Sequence, residues 1–281
     1  MIDLRTTRFW AVTLPYLQAI RAGTLVASQE TWAARGAARA QGDVTVVPIM
    51  GVLTQRGGWY GTSLERTRAA LRDAAADGSG AIVLEVDSPG GEVYGVEELA
   101  AEVRDIRGQK PVVAVANSLA ASAAYYIASQ AEELFVTPSG EVGSIGVYGM
   151  HIDLSVALDQ MGVKVTFISA GEGKVEGNPY APLSEEAASD MQENIDRYYG
   201  MFVTSVKKGR GRELSVEKVR GEWGAWVYGA KQAVEIGMAD HVGTLDDAVR
   251  RARTLARERN SKAAALGAES DRRIRHRARM I

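Results

Sequence analysis

From Asp43 onward, runs of β-branched and apolar residues alternate with stretches whose apolar positions recur every three or four residues. Val44, Thr45, Val46, Val47 and Ile49 read as a buried strand. A helical pattern follows over 63–76 and a second apolar strand over 81–86, which together open a βαβ unit. The turn sequence Asp87-Ser88-Pro89-Gly90-Gly91 then leads to a helix over 96–106, a strand over 111–116, and a short Ala-rich helix that opens near Ser122. Beyond these the pattern predicts a helix over 154–161, a strand over 163–168, a Gly-rich loop through Pro182, and a long helix over 184–207. A short strand over 226–228, a helix over 230–236 capped by Gly237, and a last helix from Leu245 complete the series. Apolar strands alternating with amphipathic helices predict an α/β fold whose mostly parallel sheet is covered on both faces.

Before this body, Phe9, Val12, Tyr16 and Ile20 fall at near-helical spacing, so the arm is expected to hold an amphipathic helix that packs on the body or on another subunit. The expected organisation is an N-terminal helical arm (1–42), a main domain (43–247) and a basic helical tail (248–281). Of the 281 residues 46% are hydrophobic and 24% charged, an ordinary globular balance. The formal charge of −2 is unevenly spread: eleven Lys and Arg against three acidic residues after position 249 give the tail +8 and leave −10 for the rest. That tail reads either as a solvated helix or as a contact for an acidic partner, scaffold protein or nucleic acid.

The absence of cysteine excludes disulfides, thiolate nucleophiles and cysteine-ligated metals, and suits a reducing compartment. The apolar stretch over 10–20 is broken by Pro15 and Gln18 and flanked by Arg8 and Arg21, far short of the roughly 20 residues a membrane span needs. Neither a membrane anchor nor a secretory signal is read from it, and the expected location is the cytoplasm.

Two motifs follow predicted strands directly. In Asp87-Ser88-Pro89-Gly90-Gly91 the glycines can present backbone N–H groups to a ligand oxygen, as an oxyanion hole requires, or can serve only the turn. In the run from Asn117 to Tyr126, Ser122 stands at a helix start among small neighbours, with the Ala123 N–H beside it. It reads as an accessible nucleophile with an oxyanion donor one residue on, or as a helix cap. A serine hydroxyl needs a base. Of the three histidines, His276 lies in the tail and His241 after a late strand, which leaves His151 as the imidazole candidate. The alternative is a lysine in a sheltered loop, desolvated enough to be partly neutral, and Lys174 in Gly171-Glu172-Gly173-Lys174-Val175 fits that description.

Four ordered segments, Asp-Ser-Pro-Gly-Gly at 87–91, Ala-Ala-Ser-Ala-Ala-Tyr-Tyr at 120–126, Gly-Ser-Ile-Gly-Val at 143–147, and Gly-Lys at 173–174 followed by Pro-Leu-Ser-Glu-Glu at 182–186, resemble the signal peptide peptidase (SppA) type of serine peptidase over residues 43–245. The resemblance implies a ClpP/crotonase-like fold of repeated ββα-type units. It also implies Ser122 as nucleophile, Lys174 as base, Ser144 as the residue that orients the lysine amine, and Gly91 with Ala123 as oxyanion donors. The related ClpP-type peptidases use Ser-His-Asp, but alignment through Pro138 places their histidine at Ile145, six residues before His151. Crotonase-type acyl-CoA enzymes share the fold and the Gly-Gly turn, and so stand as an alternative function, as does a catalytically idle assembly component.

On this reading the chain is a serine endopeptidase of peptide or protein substrates, acting through an acyl-enzyme without metal or organic cofactor. An N-terminal extension without an anchor is similar to the head-maturation proteases of tailed phages, which implies capsid or scaffold proteins as partners and a procapsid setting. A homo-oligomer is expected, since shelter for a lysine base is easier to build where subunits meet.

Overall fold

The computed structural model describes residues 10–12, 37–57, 61–211 and 214–278. Its centre is an eight-stranded, mostly parallel sheet. The core strands are β3 (Val44–Met50), β6 (Ala81–Ser88) and β8 (Val112–Ala121), paired in parallel in that order. β9 (Glu133–Val136) pairs with the first half of β8 and β10 (Glu141–Gly143) with its last three residues, both in parallel. β12 (His241–Val242) extends β9 in parallel, whereas β2 (Arg39–Gln41) and β11 (Val227–Gly229) close the two ends antiparallel. A second, smaller sheet has the order β1-β7-β4-β5, from Trp10–Val12, Gly90–Glu92, Val52–Thr54 and Gly61–Ser63.

The strands read as nearly continuous apolar runs because both faces are covered. Val47, Ile49, Ile82, Leu84, Val112 and Ala114 point into one core, which helices α1 (Leu64–Ala76), α2 (Val96–Gln109), α3 (Ala123–Ala128) and α5 (Glu185–Arg210) help to enclose. The alternate residues Val44, Val46, Val83, Val113 and Val115 point the other way, against the start of α7 (Leu245–Ala278). The strict period of two follows from alternation of Cβ along a strand.

The ββα repeat is visible twice. β3 with β4 leads to α1, and β6 with β7 leads to α2. In the third unit the strand does not break: β8 runs on to Ala121 and α3 begins at Ala123, so Ser122 alone must turn the chain.

Three expectations need correction. The arm helix falls largely outside the described residues, and the part that is described, Trp10–Val12, is a strand paired with β7. An extended segment beside an open sheet edge satisfies its backbone groups by pairing, whatever its side-chain spacing. The strand expected over 163–168 is irregular and exposed, with no ladder among the described residues: Val163, Val165, Phe167 and Ile168 have β propensity but no neighbouring edge. The boundary expected at 247/248 falls inside the core, because Ala248, Val249, Ala252, Leu255 and Ala256 are buried against the sheet.

Truncation after Asp247 is therefore expected to uncover the second core. Loss of Val249 and Leu255 burial alone costs about 1.5–3 kcal/mol each. A melting curve should show loss of cooperative unfolding for this truncation and near-native behaviour for one that stops at Ser261.

A second prediction concerns acid stability. Burial would raise the Asp77 carboxyl, but hydrogen bonds from the Thr45 hydroxyl (2.5 Å) and Ser79, with the Lys110 ammonium nearby, hold it at about 2. A depressed carboxylate stabilises the fold above its unfolded value near 4 and loses that contribution as pH falls toward 2. Asp77→Asn should lower Tm at pH 7 and flatten the dependence of Tm on pH between 4 and 2.

Candidate active site

Ser122 sits at the corner between β8 and α3 with φ 55° and ψ −122°, a conformation that a non-glycine residue rarely adopts. Its side chain makes no capping hydrogen bond to α3, so the helix-cap reading fails. Its N–H instead donates to the Gly143 carbonyl at 2.7 Å, which continues the β8–β10 ladder past the end of the strand. The residue is almost fully buried, and its hydroxyl lies 3.4 Å from the Gly146 carbonyl, a long and weak donation. The segments 120–126 and 143–147, read separately in the sequence, thus meet at one point.

The same parallel register brings Ser144 beside this corner. Ser144 also has positive φ (57°), and its N–H donates to the Trp226 carbonyl at 2.7 Å. Gly143, at φ 132°, needs glycine twice over, since an added Cβ would run into that Trp226 oxygen.

On the other flank, β7 begins two residues after Ser88, whose register partner on β8 is Ala120. The Ser88 hydroxyl donates to the Gly51 carbonyl at 2.6 Å and accepts from the Gly90 N–H at 3.2 Å, which fixes the turn. Gly90 has φ 97°, and Gly91 lies so close to β4 that a Cβ would collide with the Leu53 carbonyl. β7 packs against α3, the helix whose first residue is Ala123. A first-turn N–H has no acceptor within its own helix, so the Ala123 amide is available to a ligand oxygen.

Buried polar groups lock α3 in place. The Tyr126 hydroxyl donates to Glu97 at 2.6 Å, while Glu97 also accepts from Ser205 (3.0 Å) and Arg104 (2.8 Å) on α5 and α2. Burial would raise the Glu97 carboxyl, but these donors hold it below its ordinary range. Burial first, and the Glu97 charge second, push the Tyr126 phenol far up. The Tyr125 hydroxyl donates to the Met238 carbonyl at 2.9 Å. Beside this helix lies an apolar recess lined by Val93, Val96, Tyr126, Val147, Met201 and Phe202.

The proposed bases lie elsewhere. Lys174 is exposed in the turn segment 171–176 and lines a cleft with Glu172, Glu176, Glu186 and Asp190. The sheltered loop expected for it is not provided by this single chain, because residues 171–174 and 176 are exposed. Among the described residues no hydrogen bond joins Lys174 to Ser122 or Ser144. His151 is tied by Nε2 to the Asn178 carbonyl at 2.9 Å, and His241 lies 3.0 Å from Glu133 at the β9–β12 edge. Sequence reasoning missed the Gly146 carbonyl and the Trp226 carbonyl; the only signal was the glycine-rich spacing at 143–146, which demands close backbone approach without naming the partner.

The corner combines a serine at positive φ, glycine turns on both flanks and a helix start at Ala123, features also found where a strand-to-helix turn presents a nucleophile. Residues 104–259 match Peptidase family S49, and the chain belongs to that family. It is 36% identical over 212 residues to the head-tail preconnector protein GP5 of Enterobacteria phage P21, covering 73% of this chain and 42% of that protein. It is 34% identical over 215 residues to capsid assembly protease C of Escherichia phage lambda, covering 73% and 48%. To protease 4 of Salmonella typhi it is 33% identical over 195 residues, covering 69% and 31%. The chain thus spans less than half the length of each of these relatives.

Gly91→Ala is expected to destabilise the protein by roughly 1–3 kcal/mol, because the colliding Leu53 carbonyl is backbone and cannot rotate away. Chemical denaturation checks this; Gly108→Ala, where a Cβ meets nothing, is the control and should be neutral or better.

Proposed function

We propose that the chain is a serine endopeptidase in which Ser122 attacks the scissile carbonyl, Lys174 takes its proton, and the ammonium then protonates the leaving amine. Atoms and charges balance through an acyl-enzyme that water hydrolyses. The observation that carries the reading is the Ser122 corner: a buried serine held at positive φ, released from any capping role, beside the first-turn amide of Ala123. Gly91 and Ala123 serve as oxyanion donors and Ser144 orients the lysine amine. No step calls for a metal or organic cofactor. The names of the phage relatives support capsid or scaffold proteins as the substrate class, and with them a cytoplasmic or procapsid site of action.

The reading also requires a second copy of the chain. Lys174 needs a dry setting to act as a base. The segment around it exposes Val156, Met161, Val163, Phe167 and Ile168, the last almost fully. Exposed apolar side chains clustered in one stretch of sequence favour burial against a partner, and a homo-oligomer that covers this stretch together with Lys174 would dehydrate the lysine at the same time.

Ser122→Ala and Lys174→Ala should each remove peptide hydrolysis by a factor of about 10³ or more with native circular dichroism, since nucleophile and base act as one unit. Lys174→Arg should be equally inactive because a guanidinium stays protonated, whereas His151→Ala should keep substantial activity. The rate of the wild-type chain should rise with pH, as only the neutral amine accepts a proton. An active Lys174→Ala protein, or a rate that falls above pH 6, would remove the lysine from the mechanism.

Ile168→Asp tests the assembly. Light scattering should show a smaller species, and hydrolysis should fall in step with assembly, while the melting temperature of the chain changes little.

A further inference from the structure

Strand β7 carries Gly91, and both of its edges are occupied. Along one edge runs β4, in parallel, with Leu53 opposite Gly91. Along the other runs β1, antiparallel, with Trp10, Ala11 and Val12 opposite Glu92, Gly91 and Gly90. β4 belongs to the body of the fold: it follows β3 after one residue and pairs on its far side with β5. β1 does not. It comes from far upstream in the chain, it is the end strand of the small sheet, and it makes only three residue pairs.

That edge adjoins the nucleophile. The turn into β7 is pinned by Ser88, whose partner Ala120 stands two residues before Ser122, and β7 packs against the helix that starts at Ala123. A polypeptide that lies extended on this edge pairs with the strand that carries Gly91 and packs on the helix starting one residue after Ser122, and strand addition is the general way in which an extended peptide docks on an open sheet edge.

We propose that residues 10–12 are a built-in occupant of the substrate-docking edge, so that the resting chain is self-occluded and an extended peptide binds by displacing β1. The inference rests on the peptidase reading and adds its regulation. Three short pairs make a weak strand, since each backbone hydrogen bond contributes little net stability. As part of the same chain, however, β1 competes at an effective concentration of order millimolar, enough to mask the edge from dilute peptides and not from a substrate held close by assembly. Apparent affinity then falls by the fraction of chains whose edge is vacant.

Ala11→Pro tests this without shortening the chain, because proline removes the central N–H and disfavours ladder pairing. The readouts are KM and kcat for an extended octapeptide, anisotropy binding of a labelled, uncleaved form of that peptide in an Ser122→Ala background, and the rate of reaction with a small fluorophosphonate that does not lie along β7. Expected are a KM and a Kd lower by about tenfold, an unchanged kcat, and an unchanged fluorophosphonate rate. A chain that begins at residue 37 should behave in the same way, and a synthetic peptide of residues 8–14 should then inhibit it competitively; this arm decides the matter if Ala11→Pro fails to fold. Equal KM and Kd in all forms, with the fluorophosphonate still reacting, would overturn the occlusion and leave the peptidase reading standing. A fluorophosphonate rate that rises as much as peptide affinity would also overturn it, since the site itself would have changed. No fluorophosphonate reaction in any form would overturn the peptidase reading and the occlusion with it.

Discussion

The parallel register of β8 is the constraint on which the candidate site depends. One ten-residue strand pairs with β6 along one edge, and along the other with β9 at its start and β10 at its end. Because β8 and β10 run parallel and end together, the residues that follow them, Ser122 and Ser144, emerge side by side. Because β6 pairs with β8 as far as Ser88 and Ala120, the Gly90-Gly91 strand emerges on the other flank. The first two units spend a glycine turn and a short strand before their helices, whereas the third goes straight from strand to helix. The whole change of direction then falls on one residue, and Ser122 takes a left-handed conformation that the surrounding ladder and the clamped helix α3 must over-determine. Strain of this kind persists only where packing enforces it, and here Ala121, Ala123 and Tyr125 are all fully buried.

The parts of this arrangement that were legible in the sequence are those set by local pattern. The buried strands announced themselves because a doubly covered parallel strand needs apolar residues on both faces, and Val44–Ile49, Ala81–Val86 and Val112–Ala116 have them. Glycines stand at 91 and 143, where only the fold shows that the Leu53 and Trp226 backbones are what approach. Pattern failed where the outcome is decided by neighbours. Val163–Ile168 has the composition of a strand without an edge to pair with, and Trp10–Val12 is part of a helix-like spacing yet takes the β7 edge that topology leaves open. The charge count made residues 248–256 look like the start of a solvated tail, because arginines such as Arg251 and Arg253 pair with Glu133 and Asp43 on the surface while Val249 and Ala252 between them face the sheet.

The proposed base divides the site into two halves of unequal standing. The elements of the proposed nucleophile half, β8, β10, β7 and α3, all come from one chain. The lysine half sits on an exposed segment rich in uncovered apolar side chains, where water and four carboxylates surround it. On the proposed mechanism a division of this kind would couple chemistry to assembly: a lone chain would hold an unassisted serine, and activity would appear where copies meet. If the chain cleaves peptides as proposed, such coupling would confine cleavage to the place where copies of it are concentrated.

The central claim is that the β8–α3 corner makes Ser122 a nucleophile, and a serine-directed fluorophosphonate tests it without reference to any substrate. Peptide mapping of the treated protein by mass spectrometry should find a single adduct, on Ser122, that is absent when the protein is unfolded before treatment. A folded, peptide-hydrolysing protein that carries the adduct on another residue, or none at all, would contradict the account.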